Sequence, residues 1–399
     1  MSIFRDFFVK EKPIFTGITR GLGGFGFGAA SGGGGGQQVT GGTAFPIGDY
    51  DYRVFSAGDS TLGVSSGTIT YDILAVAGGG AGGTDKVAGA CGAGGGGATI
   101  YAENQTLSTG DYNIFVGSGG AYQPGEPSPN PKGDNGGNTI LSNVSIPGPA
   151  KVNMTGNSMP ATTWFALGGG GGAGAASNNN LAGREAGSGG GGASNTGSGG
   201  AAIQTTEPSL PAISRSNGHG LAGRASVSPP TASRGGGGGS GGNTPNSYGQ
   251  GTSNQGGRDG YQVPAPFLPT SVPASFANLL GASNPAAKGG GIATNSPEWR
   301  YFAGGGGASD NVPATSNTYQ GSGGLGGGGN AGGDGRSSPT NPRTARTGTT
   351  YYGAGNESSP GVHGRGGGGA GNGMDDTGSN QYFGGTGGDG IIIIRIHSS

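Results

Sequence analysis

The sequence predicts a mostly β and irregular protein with little or no α-helix. A small antiparallel β core is joined to a polyglycine II helix bundle with variable connecting loops. Three observations predict this class. Alternating apolar runs feed straight into glycine, most clearly at Gly67–Gly83 (GTITYDILAVAGGGAGG). The 399 residues include 103 Gly and 24 Pro, far above ordinary usage. Glycine comes in clustered runs rather than at every third position, which excludes collagen.

In the opening stretch, Ile69, Tyr71, Ile73 and Ala75 share one strand face, and Thr70, Asp72, Leu74 and Val76 share the other. The strand ends where glycine offers no side chain to pack. The same pattern returns at Trp164–Gly174 (WFALGGGGGAG) and Tyr301–Gly307 (YFAGGGG), and reversed at Gly384–Ile396 (GGTGGDGIIIIRI). Ordering one backbone residue costs about 1–2 kcal/mol, and glycine loses the most freedom. One hydrogen bond returns only about 0.5–1.5 kcal/mol net. An isolated glycine strand therefore cannot stay ordered, but a close-packed bundle can. Polyproline II geometry has three residues per turn and no internal hydrogen bonds, so every N–H and C=O points outward to a neighbour. Hydrophobic residues are only 30% of the chain, which fits a core made of backbone. Charged residues are 10% with net charge −1, so the chain lacks the charge excess of disordered segments.

Taken in order, residues 1–42 read as an aromatic-rich docking peptide on a glycine tether. Phe4, Phe7, Phe8, Ile14, Phe15, Phe25 and Phe27 are the candidate docking residues onto a partner protein, the alternative being an arm folded back on the chain's own core. The segment is too short to bury those side chains by itself. Residues 43–167 form the β-rich core, with strands expected at Tyr50–Phe55, Thr68–Ala77, Thr99–Glu103, Tyr112–Val116, Asn138–Leu141 and Thr163–Leu167. Gly58-Asp59, Gly110-Asp111 and Gly117–Gly120 are turn signals between them. Residues 168–383 are a glycine lattice whose inserts are loops at the lattice ends. Residues 384–399 supply a closing strand for the sheet begun near Ile69.

Functional motifs are sparse. Cys91 is the only cysteine, which excludes an intrachain disulfide and reads as a small buried residue. Gly21–Gly26 matches a dinucleotide-binding pattern, but no βαβ context surrounds it, and glycine this abundant produces such matches by chance. His219, His363 and His397 stand apart, with no acidic residue at metal-ligand spacing. Asp375-Asp376 has turn composition, with a calcium loop as the alternative. Asp389 reads as a turn residue. No cofactor and no enzymatic activity are expected. No basic cluster favours nucleic acid, no apolar run spans a membrane, and the N-terminus does not read as a secretion signal.

The ordered set YDILAVAGGGAGG, TIYAENQTLSTGDYNIFVGSGG, NGGNTILSN, WFALGGGGGAG and GGDGIIIIRI resembles the glycine-rich domain of bacteriophage tail-fibre and adhesin proteins. It covers residues 68–396. At the N-terminus a short aromatic peptide stands in place of the large attachment domain of T-even adhesins. The resemblance implies a polyglycine II lattice capped by β structure, with loops at its far ends touching the host surface. The expected function is therefore a virion structural protein, a tail-fibre or tail-tip adhesin located on the extracellular particle. Its partners would be other virion proteins through residues 1–42 and a host cell-surface receptor, protein or glycan. The alternative is a capsid-decorating or head-fibre spike without a specific receptor. Tyr261, Phe267, Phe276, Trp299, Tyr319 and Tyr351 are the candidate receptor contacts, because exposed aromatic clusters mark interaction surfaces. The opposite reading is that each plugs an edge of the lattice.

Overall fold

The computed structural model describes residues 39–84, 91–122, 132–152, 160–174, 182–193, 197–206, 208–226, 235–241, 256–282, 294–308, 321, 323–329, 331, 343–344, 350–351, 361–371 and 384–398. The protein is mostly antiparallel β-sheet and irregular chain, with three short α-helices among these residues. The candidate docking residues Phe4 to Phe27, the Gly21–Gly26 match, Asp375-Asp376 and Tyr319 lie outside the described residues.

The main sheet contains β1 (Val39–Thr40), β2 (Thr43–Ile47), β3 (Tyr50–Phe55), β4 (Gly58–Val76), β5 (Thr99–Val116), β6 (Thr139–Ser142), β7 (Trp164–Ala166) and β8 (Gly218–His219). Two outlying strands, β9 (Tyr261–Gln262) and β10 (Tyr301–Phe302), pair with each other, as do β11 (Arg343–Thr344) and β12 (Thr350–Tyr351). The last strand, β13 (Ile391–His397), joins the main sheet between β3 and β4.

β4 and β5 form one long ribbon, paired from Gly58↔Val116 to Val76↔Thr99, with register shifts at Val64/Thr68 and Tyr71/Ile73. The ribbon doubles back on itself. The Thr139 hydroxyl donates to the Val76 carbonyl and accepts from the Gly117 amide, both at 3.0 Å, although Val76 and Gly117 flank opposite ends of the ladder. Trp164 on β7 donates through Nε1 to the Tyr71 hydroxyl at 2.8 Å, from one layer to the other. The result is a sandwich. One layer is β2–β3–β13 with the second half of β4 and the first half of β5. The other is β1 with the first half of β4, the second half of β5, β6 and β7.

The period of 2 in the sequence is realised on both faces. Ile69, Tyr71, Ile73 and Ala75 point into the sandwich with Leu62, Ile100, Ile114, Ile392 and Ile394. Leu74 and Val76 point outward into a second core. A third small cluster, Ile140, Phe165, Leu167 and Leu210, covers the outer side of β6 and β7.

On one side of the sandwich β4, β5, β6, β7 and β13 continue into glycine runs, whereas β3 turns directly into β4. Along 78–83, successive amides go to three different neighbours in rotation. Gly78 and Ala81 donate to Gly137 and Asp134, Gly79 and Gly82 to Gly388 and Gly385, and Gly80 and Gly83 to Gly95 and Gly92. This repeat of three is the signature of a polyglycine II helix. The run 92–98 sits among six others. It donates to 167–173, 235–238 and 366–369 at 2.8–3.2 Å, and accepts from 77–83, Gly191 and Gly306. The lattice is therefore not confined to residues 168–383. The glycine segments at 77–84, 91–98, 117–122 and 132–138 belong to the same body, because equivalent backbone helices pack regardless of where they fall in the chain.

Side chains complete the bonding where runs lack a backbone neighbour. Asn138 and Asn135, three residues apart, accept through Oδ1 from Gly168 and Gly171, also three apart, both at 2.9 Å. The carboxylate of Asp259 accepts from Leu325 in the same way.

Candidate functional site

Three places on this scaffold carry chemistry: an aromatic plug over the sheet, a buried charge cluster on its outer face, and the two poles of the molecule.

The aromatic inserts run across the outer face of the sheet rather than outward from the lattice. Tyr261 lies on β9, Phe267 in the following turn, Phe276 in the helix Ala274–Leu279 and Trp299 in the 3-10 helix Pro297–Arg300. They pack with Phe45, Tyr52, Val54, Leu74, Ile391 and Ile393. Phe276 meets Phe45 edge-on at 5.1 Å and Tyr52 at 5.6 Å between ring centroids. Trp299 Nε1 donates to the Pro269 carbonyl at 3.1 Å, and the Tyr52 hydroxyl to the Phe267 carbonyl at 2.9 Å. Phe267, Phe276 and Trp299 are at most 1% exposed and Tyr261 is 9% exposed. The expectation that these four face a receptor is therefore corrected: the outer face of Leu74, Val76, Ile391 and Ile393 is apolar, and the inserts bury it. The backbone of Tyr351 on β12 pairs antiparallel with Arg343 on β11.

Two buried charged side chains tie the plug to the lattice through backbone groups. Arg365, fully buried, donates through Nε to Leu280 O and through Nη1 to Trp299 O and Tyr301 O. Its guanidinium also lies 4.7 Å from the Phe302 ring centre. Glu298 accepts from the Gly326 and Gly327 amides at 2.9 and 3.3 Å. Burial pushes the Glu298 carboxyl above its usual range, against the pull of these amides and of Arg365. Gly326 and Gly327 have φ of 96° and 92°, so this is a left-handed turn that presents two amides to one carboxylate, not the middle of a lattice helix.

The second site is Asp72, 1% exposed, on the outer face of β4. Its Oδ1 accepts from the Asn104 amide at 2.8 Å. Its Oδ2 lies 2.6 Å from Arg395 Nη2 and 2.9 Å from His397 Nε2, both on β13. Burial opposes ionisation, but the Asn104 amide, His397 and Arg395 together hold the carboxyl below its usual range. Arg395 also covers the Tyr50 ring at 4.5 Å and donates to Pro266 O. Asp389 is likewise more than a turn residue. Its Oδ1 accepts from Gly119 and its Oδ2 pairs with His363 Nδ1 at 3.0 Å, which lowers the carboxyl and raises the imidazole. Sequence reasoning missed both sites because the partners are 323, 325 and 26 residues apart. The one available signal was a charged residue, Asp72, inside an otherwise apolar strand. Among the described residues no group of three or more His, Cys, Asp or Glu is placed to hold a metal ion. Cys91 is buried in the lattice.

The poles follow from the topology. β1 pairs with β4 at Val39↔Val64, beside the bend of the ribbon, so residues 1–38 join the body at the sheet tip. From that tip to the lattice, residues 68–76 cover roughly 30 Å at ~3.3 Å per residue. The run 77–84 then extends roughly 25 Å further at ~3.1 Å per residue. Gly83, Gly92, Ala173 and Gly191 are bonded in sequence at the far end, as are Gly307 and Gly371. The described chain therefore breaks off after Thr84, Gly174, Ala193 and Ala308 at the pole opposite Val39, whereas the connection 261–302 lies over the sheet.

The family model for a glycine-rich domain matches residues 54–291, more than half of the chain. The chain belongs to this glycine-rich domain family. Among curated proteins none matches it. No helix among the described residues is long and apolar enough to cross a membrane.

Proposed function

We propose that the protein is a bacteriophage virion structural protein that acts as a tail-fibre or tail-tip adhesin. The observation that carries this reading is the two-pole geometry. Val39, to which residues 1–38 lead, lies at the sheet tip, and the described chain breaks off after Thr84, Gly174, Ala193 and Ala308 at the other end. A body with separate ends suits a part that docks on a particle at one pole and meets a cell surface at the other. The lattice holds that end on backbone rather than side-chain packing, so the sequence beyond it can vary without disturbing the core. In this reading the partners are other virion proteins and a protein or glycan receptor, the location is the extracellular particle, and the protein performs no catalysis and binds no nucleic acid.

One observation favours the second reading, a capsid-decorating or head-fibre spike. Four of the six aromatic candidates are buried in the plug, so they contribute no receptor surface. A single experiment separates the two. Residues 39–399 retain β1, whose Val39 is buried, whereas a cut at 42 would remove it. The purified 39–399 body is expected to bind susceptible cells and to compete with infection. A body that melts normally, binds no susceptible cell and leaves infection unchanged would replace the adhesin by the spike.

A further inference from the structure

β3 and β4 are consecutive in the chain, yet they do not pair with each other. β13, the strand that follows all others in the sequence, lies between them. It pairs with β3 from Ile392↔Phe55 to His397↔Tyr50, and with β4 from Ile391↔Val76 to Ile396↔Tyr71. Ile391, Ile392, Ile393 and Ile394 are fully buried. Ile392, Ile394 and Ile396 fill the sandwich, and Ile391 and Ile393 lie under the aromatic plug.

The residues before β13 continue the same line through the lattice. Gly385 and Gly388 accept from Gly82 and Gly79 and donate to Ala370 and Gly367, while Gly387 and Gly390 donate to Gly120 and Gly117. Residues 384–397 thus form one extended segment inserted along the whole body. Without it, two strands would present open edges to each other across a slot with apolar faces. The slot would also contain the buried Asp72 carboxylate, stripped of Arg395 and His397.

We propose that the β3–β4 slot is a strand-acceptor site that takes the 384–399 segment from a second copy of the chain as well as from its own. The slot recognises backbone edges, isoleucines in alternating directions and a cation four residues after Ile391. None of these features depends on which chain supplies the strand. Strand addition of this kind draws affinity from main-chain hydrogen bonds and specificity from alternate side-chain pockets. Asp72 adds a charge test, because a buried carboxylate left without its cation is strongly destabilising. The inference stands whether or not the protein is an adhesin.

The test uses the full chain with a protease site inserted within residues 372–383. After cleavage of the folded protein, the segment is expected to stay bound through gel filtration. After the nicked protein is unfolded and refolded with excess fluorescent peptide of residues 384–399, the peptide is expected to be incorporated one per body. A peptide carrying Arg395→Glu should compete about tenfold or more weakly, and Asp72→Asn in the body should narrow that difference. Two differently tagged full chains refolded together should yield species containing both tags. The proposal is overturned if the segment leaves a body whose melt is unchanged, if the altered peptide competes equally, if the nicked body fails to refold with peptide present, or if the tagged chains never combine.

Discussion

Gly94→Ala adds a single methyl group to the most enclosed glycine helix. The new Cβ would lie 2.1 Å from Gly80 O, 2.6 Å from Gly80 C and 2.8 Å from Ala81 C, all backbone atoms that no rotamer change can move. Reaching ordinary contact requires runs 77–83 and 92–98 to separate by about 1 Å. Three hydrogen bonds join these runs, Ala77 to Ala98 at 3.0 Å, Gly80 to Gly95 at 2.8 Å and Gly83 to Gly92 at 3.0 Å. Lengthened by that amount, all three pass out of range. Buried groups left unpaired cost about 1–3 kcal/mol each, so the change should cost roughly 3–9 kcal/mol. That is a large share of a typical stability of about 5–15 kcal/mol. The sign is diagnostic, because Gly→Ala at a compatible position stabilises by about 0.4–1 kcal/mol. Gly148, exposed and with nothing within 4 Å of its Cβ position, is the matched control. Ala81, Ala93 and Ala173 are buried within the runs, so the lattice admits methyl groups only where the neighbouring backbone leaves room. Denaturant melts of the two variants decide the matter: equal stability of Gly94→Ala and Gly148→Ala refutes a core held by close backbone contact.

The remaining predictions follow from the plug, the edge bonds and the buried charge. Phe276→Ala and Trp299→Ala should each lower stability by about 3–5 kcal/mol in denaturant melts, as for buried aromatics, where an exposed receptor contact would leave the melt unchanged. Asn138→Ala should cost about 1–3 kcal/mol, because it strips the buried Gly168 amide of its acceptor, and chemical denaturation should detect it. Asp72 has a folded-state acidity constant below its ordinary 3.8, so it contributes stability that is present above that pH and lost as pH falls through the folded value. Asp72→Asn should therefore be less stable than the wild type at neutral pH, with a shallower loss between about pH 5 and pH 2.

Much of the sheet was legible because a strand packed on both faces writes its period plainly. Tyr50–Phe55, Trp164–Ala166 and Ile391–His397 lie where alternation and apolar density put them. The first half of β4, Gly58 to Gly67, was not legible, because its sequence is polar and contains three glycines. Gly110-Asp111 reads as a hairpin turn but lies within β5, opposite Val64, where the ribbon bends. Glycine at that point marks a change of direction in a continuous strand. The plug was hidden for a different reason. An aromatic insert looks the same in sequence whether it faces solvent or covers a sheet, and only the apolar outer face of Leu74, Val76 and Ile391 decides between them. Charge partners such as Asp72 and Arg395 follow from strand order, which no local pattern records.

Amide hydrogen exchange tests the glycine core most directly, since it reads the backbone hydrogen bonds themselves. The amides of Gly92–Ala98, each bonded to a neighbouring run, should be protected to the same degree as those of Ile391–Ile396 in the central strand. Exchange of the Gly92–Ala98 amides at the rate of an open chain, with the β13 amides still protected, would contradict a lattice held together by its backbone.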